Sequence, residues 1–497
     1  MKLTIDELSV FCKKKGFIYP SSEIYGGMSG FFDYGPLGVE LKNNIKAEWW
    51  KAHVHDRDDI VGIDGSIITN PKVWVASGHV GSFTDAILEC GKCGAKTRAD
   101  HFIEDKLKMD TAGLPLEQIN SIVKSHKLKC EKCSSAFKDA AGFNLMFQTN
   151  VGPAEGSTAY LRPETAQVIF VDFKQVTDTT RVKLPFGIAQ IGKAFRNEIS
   201  PRDFLFRCRE FEQMEIEYFV SPEQANSCPY INDAMDYELL VLSSEMQQKK
   251  QAAKKMRMKE ALDKKIIKTQ WHAYWLAFEH KWFADLGISH DNMRIRQHFD
   301  EEKSHYALDT WDIEYNFPFG WKELQGMANR TDYDLSQHIK NSGKDLSYYD
   351  EEKKARVTPH VVVEPSQGVE RAFLAFVNEA YNYDKERGNV VLKLHPKLAP
   401  YKAAVFPLVS NKPELTSKAR EIYQSIKPEF NIYWDSSGSI GRRYARADET
   451  GVPACITVDF KTLEDDTVTV RSRDTTKQER VKMSELKESI KRFLNSD

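Results

Sequence analysis

Apolar residues first fall into a regular spacing after Gly35-Pro36-Leu37-Gly38, where Leu41, Ile45 and Trp49 stand four apart. That interval predicts a helix over 39–53 with one face turned to a core, its start marked by Pro and Gly. From 143 onward the pattern changes to short apolar segments broken by Pro, Gly and Asn. The alternation over 209–220 predicts a strand in an antiparallel, β-rich core. Residues 222–286 hold no glycine, and no proline after Pro229, so helices are expected there. Around Leu394-His395-Pro396 the chain reads as a linker. Beyond it, strand-like runs at 403–409, 454–459 and 467–471 alternate with helical ones at 412–425 and 484–494. This predicts a separate α/β unit.

The expected organisation is α+β. A large first unit spans 1–395, with an inserted module at 88–145 and a helical insertion at 222–290, and a second unit spans 396–497. A chain of 497 residues with 41% hydrophobic and 11% aromatic residues can build several cores. The formal charge of −2 excludes a general coater of nucleic acid, so any phosphate-binding surface must be local. No run of about 18 apolar residues predicts a membrane span, and the N-terminal stretch lacks the pattern of a secretory signal. A cytoplasmic protein is expected. Within 249–268, nine Lys/Arg face two Asp/Glu. This is either a solvated helix face or a contact with nucleic-acid phosphates. The second unit, with eighteen Lys/Arg against fifteen Asp/Glu from 396 on, is only mildly basic.

The eight cysteines of such a chain point to thiols or metal rather than to disulfides. Cys90-x-x-Cys93 and Cys130-x-x-Cys133 are two knuckles able to offer four thiolates to one tetrahedral Zn²⁺, with a helical hairpin between them. Four protein ligands leave no open position, so the metal would be structural.

The most specific chemistry lies in Phe195-Arg196-Asn197-Glu198, a loop, then Arg207-Cys208-Arg209-Glu210-Phe211-Glu212-Gln213-Met214-Glu215. Two-residue spacing puts Arg196 and Glu198 on one side of a strand, and likewise Arg209, Phe211, Gln213 and Glu215. A charged and aromatic face on a strand with apolar neighbours is unusual, the alternative being an exposed sheet face with weak ion pairs. A second segment, Glu364-Pro365-Ser366-Gln367-Gly368-Val369-Glu370-Arg371, carries a strand through a glycine into a helix bearing arginine.

These segments resemble motifs 2 and 3 of the class II aminoacyl-tRNA synthetases, and 34–38 with its helix resembles motif 1, whose family role is the dimer interface. Arg162-Pro163-Glu164, Gly320-Trp321-Lys322-Glu323-Leu324 and Ala328-Asn329-Arg330 resemble the single-chain, homodimeric glycyl-tRNA synthetases, a likeness running from about Phe31 to the C-terminus. The resemblance implies a class II antiparallel-sheet core with flanking helices and a C-terminal anticodon-binding domain. It also implies glycine activation by ATP with release of pyrophosphate, then transfer to the 3′ end of tRNA(Gly), with Mg²⁺ as cofactor. Arg196, Arg371 and Glu323 would carry the chemistry, Glu323 through Mg²⁺.

The same resemblance assigns ATP binding to Arg196, Asn197, Glu198, Phe206, Arg207, Cys208, Arg209, Glu210, Phe211, Glu323, Leu324, Gly368, Val369, Glu370 and Arg371. To glycine it assigns Arg98, Glu164, Phe211, Glu212, Gln213, Met214, Glu215, Glu364, Pro365, Ser366, Gln367, Gly368 and Arg330. Arg330 would meet either the substrate carboxylate or Asp332 or Asp334. The acids Glu164, Glu215 and Glu364, with Ser366, would surround the glycine ammonium. Exclusion of any Cβ would select the smallest amino acid, so no editing domain is required. The chain departs from the family pattern at Gln167-Val168-Ile169, where glycine often follows the glutamine, and in its longer basic stretch.

Overall fold

The computed structural model describes residues 3–109, 111, 113–153, 156–303, 307–351 and 353–495. Its centre is a nine-stranded sheet. In chain order the strands are β1 (Ile60–Ile63), β2 (Phe186–Phe195), β3 (Glu210–Val220), β4 (Glu238–Leu242), β5 (Lys254–Arg257), β6 (Met293–Gln297), β7 (Thr310–Phe317), β8 (Gly320–Ala328) and β9 (His360–Gly368). They lie in the order β5-β4-β6-β7-β8-β9-β3-β2-β1. Parallel pairing occurs only toward the two ends, between β4 and β6 and between β1 and β2; the remaining neighbours are antiparallel.

Helix α1 (Pro36–Trp50) forms where the apolar stripe predicts it: Leu41, Ile45 and Trp49 are fully buried. It packs on one face of the sheet with α3 (Gln270–Asp285) and α5 (Val369–Ala380), around Met214, Ile216 and Leu324. Burying each such side chain stabilises the fold by about 1.5–3 kcal/mol. Helix α2 (Ala166–Thr180) covers the other face near β2 and β3. Phe170 and Phe173 meet Phe186 and Phe219 there, close to α4 (Tyr333–Ser342).

The expectation of helices throughout 222–286 needs correction. Only α3 is long; β4 and β5 are strands that extend the central sheet, and 258–263 makes a short helix. The basic stretch 249–268 is therefore no single helix. Lys254, Lys255 and Arg257 occupy the outermost strand, where charge discourages a further strand from adding to the open edge. β4 is a short continuous apolar run, Leu239–Leu242, which has no alternation to tell a strand from a helical turn.

Between β1 and β2 the chain makes a three-stranded sheet (Thr84–Glu89, Lys96–Arg98, Ala141–Asn144) and the helices Ala99–Leu107 and Leu116–Ser125. This part owns a small core of Leu88, Phe102, Ile103, Ile119 and Val123. The C-terminal part is a five-stranded sheet: β10 (Ala403–Pro407), β11 (Ile432–Trp434), β12 (Ala454–Val458), β13 (Thr467–Ser472) and β14 (Gln478–Lys482), in the order β11-β10-β12-β13-β14. It closes over its own core with helices Pro413–Ile426 and Leu486–Asn495. A hairpin, Tyr381–Asp384 paired with Asn389–Leu392, reaches toward it. Arg387 at its turn donates to Asp448 and to the carbonyl oxygen of Arg473.

Candidate active site

One face of β3 runs from an open cleft into the core. Phe211, Gln213, Glu215, Glu217 and Phe219 succeed one another on it, because alternate residues of a strand share a side. β9 lies alongside in register, Gln213 opposite Gly368 and Glu215 opposite Ser366, and β8 places Gly326 opposite Ser366. Three neighbouring strands thus deliver their small and acidic residues to one surface.

The cleft above it holds about 350 Å³. Arg196, Arg207, Arg98 and Arg371 line it with Phe211 and Phe206. Arg196 lies past the end of β2, not on a strand as its spacing suggested, and its Nε donates to the carbonyl oxygen of Pro163 at 3.0 Å. The guanidinium sits 5.4 Å from the centre of the Phe211 ring. Among the described residues no carboxylate lies within ion-pair distance of it, which leaves its charge available to a ligand. Arg371, in the first turn of α5, stacks over Phe206 and pairs with Glu323 at 2.8 Å. Arg98 is braced by Asp85 at 2.5 Å and Asp100 at 2.8 Å. Glu198 is met by Arg207 at 3.4 Å, while its own carbonyl oxygen accepts from Arg209.

Glu323 lies half-exposed at the cleft; partial desolvation disfavours its charge, but Arg371 and His298 hold its carboxyl below the usual range. Asp312 on β7 behaves oppositely. Burial and the nearby Glu323 push it up to about 6, against a 2.6 Å bond to His298.

Deeper in lies an acidic chamber. Glu164 sits at 3.4 Å from His79 and accepts from Gln167 at 3.0 Å. Burial alone would raise it, yet His79 and Arg330 bring it well below an ordinary carboxylate. Glu215 accepts from the Thr165 hydroxyl and is pushed up by burial and by Glu164. Glu364 accepts from Arg330 at 2.6 Å; burial still raises it well above the usual range, with Glu215 and Glu164 adding to the effect. Gln213 donates to the Ser366 hydroxyl at 3.2 Å. Arg330 also donates to both oxygens of Asp334, at 2.8 and 2.9 Å. Of the two acids expected just after it, Asp334 is the one its fork meets, and the fork is shared with Glu364.

Parity along the strands corrects several assignments. Glu212 and Met214 alternate with the residues above and point to the opposite face, where Met214 is core and Glu212 pairs with Lys42 and Lys46. Pro365, Gln367 and Leu324 are turned the same way and are buried there, as is Val369 in the first turn of α5. Glu370 reaches the cleft edge but accepts from Tyr34, from Lys42 and from the backbone N–H of Glu212. Glu210 pairs with Lys193 on the surface, Cys208 is packed against the Leu205 carbonyl, and Asn197 donates its backbone N–H to Leu145. None of these contributes a side-chain donor or acceptor aimed at the acidic chamber. Conversely, sequence reasoning assigned no role to Glu217, His79, Thr165 and Asp312. Glu217 was legible as the next member of the alternating series.

The cysteines at 90, 93, 130 and 133 converge. Their sulfur atoms all lie within 4.8 Å of one another, with Cys90 to Cys133 at 3.4 Å and Cys93 to Cys130 at 3.7 Å. Four sulfurs at such separations fit the corners of a tetrahedral thiolate site.

An arginine just past β2, a phenylalanine on the antiparallel β3 and a second arginine in the helix after β9 are the arrangement expected of a class II aminoacyl-tRNA synthetase, and the chain is of that class. Residues 150–381 match the tRNA synthetase class II core domain (G, H, P, S and T), and 402–493 match the anticodon binding domain. A prolyl-tRNA synthetase from Giardia lamblia, solved with prolyl-adenylate, superposes with a TM-score of 0.59 at 14% identity, over 99% of this chain and 81% of that one. That likeness concerns the fold. Glycine–tRNA ligase of Clostridium beijerinckii is 45% identical over 503 residues, covering 99% of this chain and 98% of its own. Glycine–tRNA ligase of Geobacillus kaustophilus is 46% identical over 498 residues, with 98% of each covered. The chain belongs to the glycine–tRNA ligase family: it activates glycine with ATP, releasing pyrophosphate, and transfers glycine to tRNA.

Proposed function

We propose that the cleft and the acidic chamber divide the work between nucleotide and amino acid. Phe211 stacks on adenine, Glu198 accepts from its amino group, and Arg196 grips the α-phosphate with a fork that no protein carboxylate occupies. Arg371 meets the γ-phosphate. Glu323 and Asp312, two acids close enough to raise one another's cost of ionisation, would hold Mg²⁺, which neutralises phosphate charge. Glu164, Glu215 and Glu364 with Ser366 receive the glycine ammonium. Arg98 lines the same cleft as a further contact for the substrate.

Glycine's carboxylate then attacks the α-phosphorus in line, pyrophosphate leaves, and the terminal adenosine of tRNA(Gly) takes glycine from the adenylate. No protein nucleophile is needed. Positioning can account for about 7–11 kcal/mol of the barrier, and the arginines stabilise charge developing on the phosphate.

The cysteine cluster holds structural Zn²⁺ and steadies the strand that carries Arg98. Homodimerisation through the α1 region is supported by Ile24, Tyr25 and Met28, which lie just before α1 and are 88%, 87% and 59% exposed. Among the described residues no helix is long and apolar enough to cross a membrane, and the cytoplasm is the compartment proposed.

The observation that carries this reading is the placing of Glu164, Glu215 and Glu364 in one buried chamber beneath unpaired Arg196. ATP–pyrophosphate exchange with glycine tests it: E215Q and E364Q should each lose activity by roughly tenfold or more, the scale of one buried charged hydrogen bond. Wild-type exchange in both variants would overturn it.

A further inference from the structure

Glu217 lies one step deeper than Glu215 on β3, fully buried, and neither carboxyl oxygen has a hydrogen-bond partner among the described residues. Its oxygens, with those of Glu215 and Glu364, fall within 4.8 Å of one another. The surrounding elements supply little to offset a charge there. From β9 comes Glu364; from α4 and the turn before it come Asp334 and Arg330, whose fork is already shared between Asp334 and Glu364. The turn before α2 brings Glu164 with its partner His79, and burial keeps His338 of α4 below its ordinary value, so it stays neutral. Arg162, near Glu215, is committed to the backbone carbonyls of Lys193 and Gly65. Even with His79 protonated and an ammonium group present, the ionised acids would outnumber the cations.

We propose that Glu217 remains a neutral carboxylic acid and donates its proton to the Glu215–Glu364 pair, fixing the two carboxylates that receive the glycine ammonium. It is a positioning residue, not an ammonium ligand. The proposal rests on the reading of Glu215 and Glu364 given above. Burial with three nearby acids raises the Glu217 carboxyl well above its usual range, in the same direction. The arrangement has a physical logic. A hydrogen bond from a neutral acid orients the ionised pair without adding to its charge, whereas a third carboxylate would repel both.

The test compares Glu217→Gln, Glu217→Met and Glu215→Gln in glycine-dependent pyrophosphate exchange, with infrared spectra of the free enzymes. Glutamine keeps a donor and no charge, so E217Q should hold the KM for glycine within about twofold of wild type. E217M should raise it roughly tenfold or more while leaving the KM for ATP in place. Wild type at neutral pH should show a carbonyl component of a protonated carboxylic acid that is missing from E217Q, whatever component Glu364 contributes remaining in both. A loss in E217Q equal to that in E215Q, or an unchanged carbonyl band, would overturn the proposal. Should E217M fail to fold, E217Q and its spectrum still decide. Wild-type behaviour of E215Q would instead strike at the ammonium assignment, while the difference between the wild-type and E217Q spectra would continue to report on Glu217.

Discussion

Asp312 illustrates how a single buried carboxyl makes the molecule sensitive to pH. Its folded value, about 6, lies above the ordinary aspartate value, so the stability associated with it is complete below about pH 4 and is lost as pH rises through 6. His298, raised by the same partner, works in the same sense above its ordinary value. Urea unfolding in Mg²⁺-free buffer should therefore show wild type weakening between pH 4 and 7 by up to about 2–3 kcal/mol, with D312N nearly flat over that interval. Parallel curves would place the titration elsewhere. At this scale strand parity was readable: Phe211, Gln213 and Glu215 could be put on one side from spacing alone. Yet Glu212, Met214 and Gln367 were carried along because motifs are contiguous in sequence while faces are not. The orientation of Arg330 was unreadable, since its fork is claimed by Asp334 four residues on and by Glu364 on another strand.

Among the elements, α1 shows how one helix reaches both nucleotide-binding segments. Lys42 stands 2.9 Å from Glu212 on β3 and 3.1 Å from Glu370 on α5, and Glu370 also takes the Tyr34 hydroxyl and the Glu212 backbone N–H. Burial disfavours the Lys42 charge, but the two acids more than restore it. Removing the ammonium leaves Glu212 with Lys46 alone and buried Glu370 with only the Tyr34 hydroxyl and a backbone N–H, so K42M should cost about 1–3 kcal/mol of stability by denaturant titration and lower exchange activity, with K42R close to wild type. An unaltered K42M midpoint would show the network to be incidental. The helical stripe of α1 and the alternation of β3 were both visible in the sequence. β4 and β5 were not: both are short, β4 an unalternating apolar run and β5 a lysine-rich edge strand whose residues favour helix. The small strand β11 of the second unit escaped for the same reason of length.

For the whole molecule, the division near 396 was legible from the linker and from the change in element rhythm. The interleaving of distant segments into a nine-stranded sheet was not, since pairing between β1 and β2 spans the entire cysteine-bearing insert. The two units should separate in activity. Because Leu392, Leu394 and Leu398 belong to the first core, a chain ending at residue 401 keeps that core complete. It should retain glycine-dependent pyrophosphate exchange while losing aminoacylation by roughly two orders of magnitude, the scale of a lost second attachment point. Full aminoacylation by the shortened chain would mean that the C-terminal part does not hold tRNA.

The hairpin bearing Arg387 makes such a division less simple when the missing part is replaced rather than removed. Its guanidinium is fitted to Asp448 and to a carbonyl oxygen on the neighbouring part. A chimera that grafts a foreign tRNA-reading module onto this body would have to bring a matching acid and an equally placed peptide oxygen. Without them Arg387 would keep only Asp384 on its own hairpin as a partner at the seam, and exchanging modules would become a problem of matching one residue before it became one of tRNA choice.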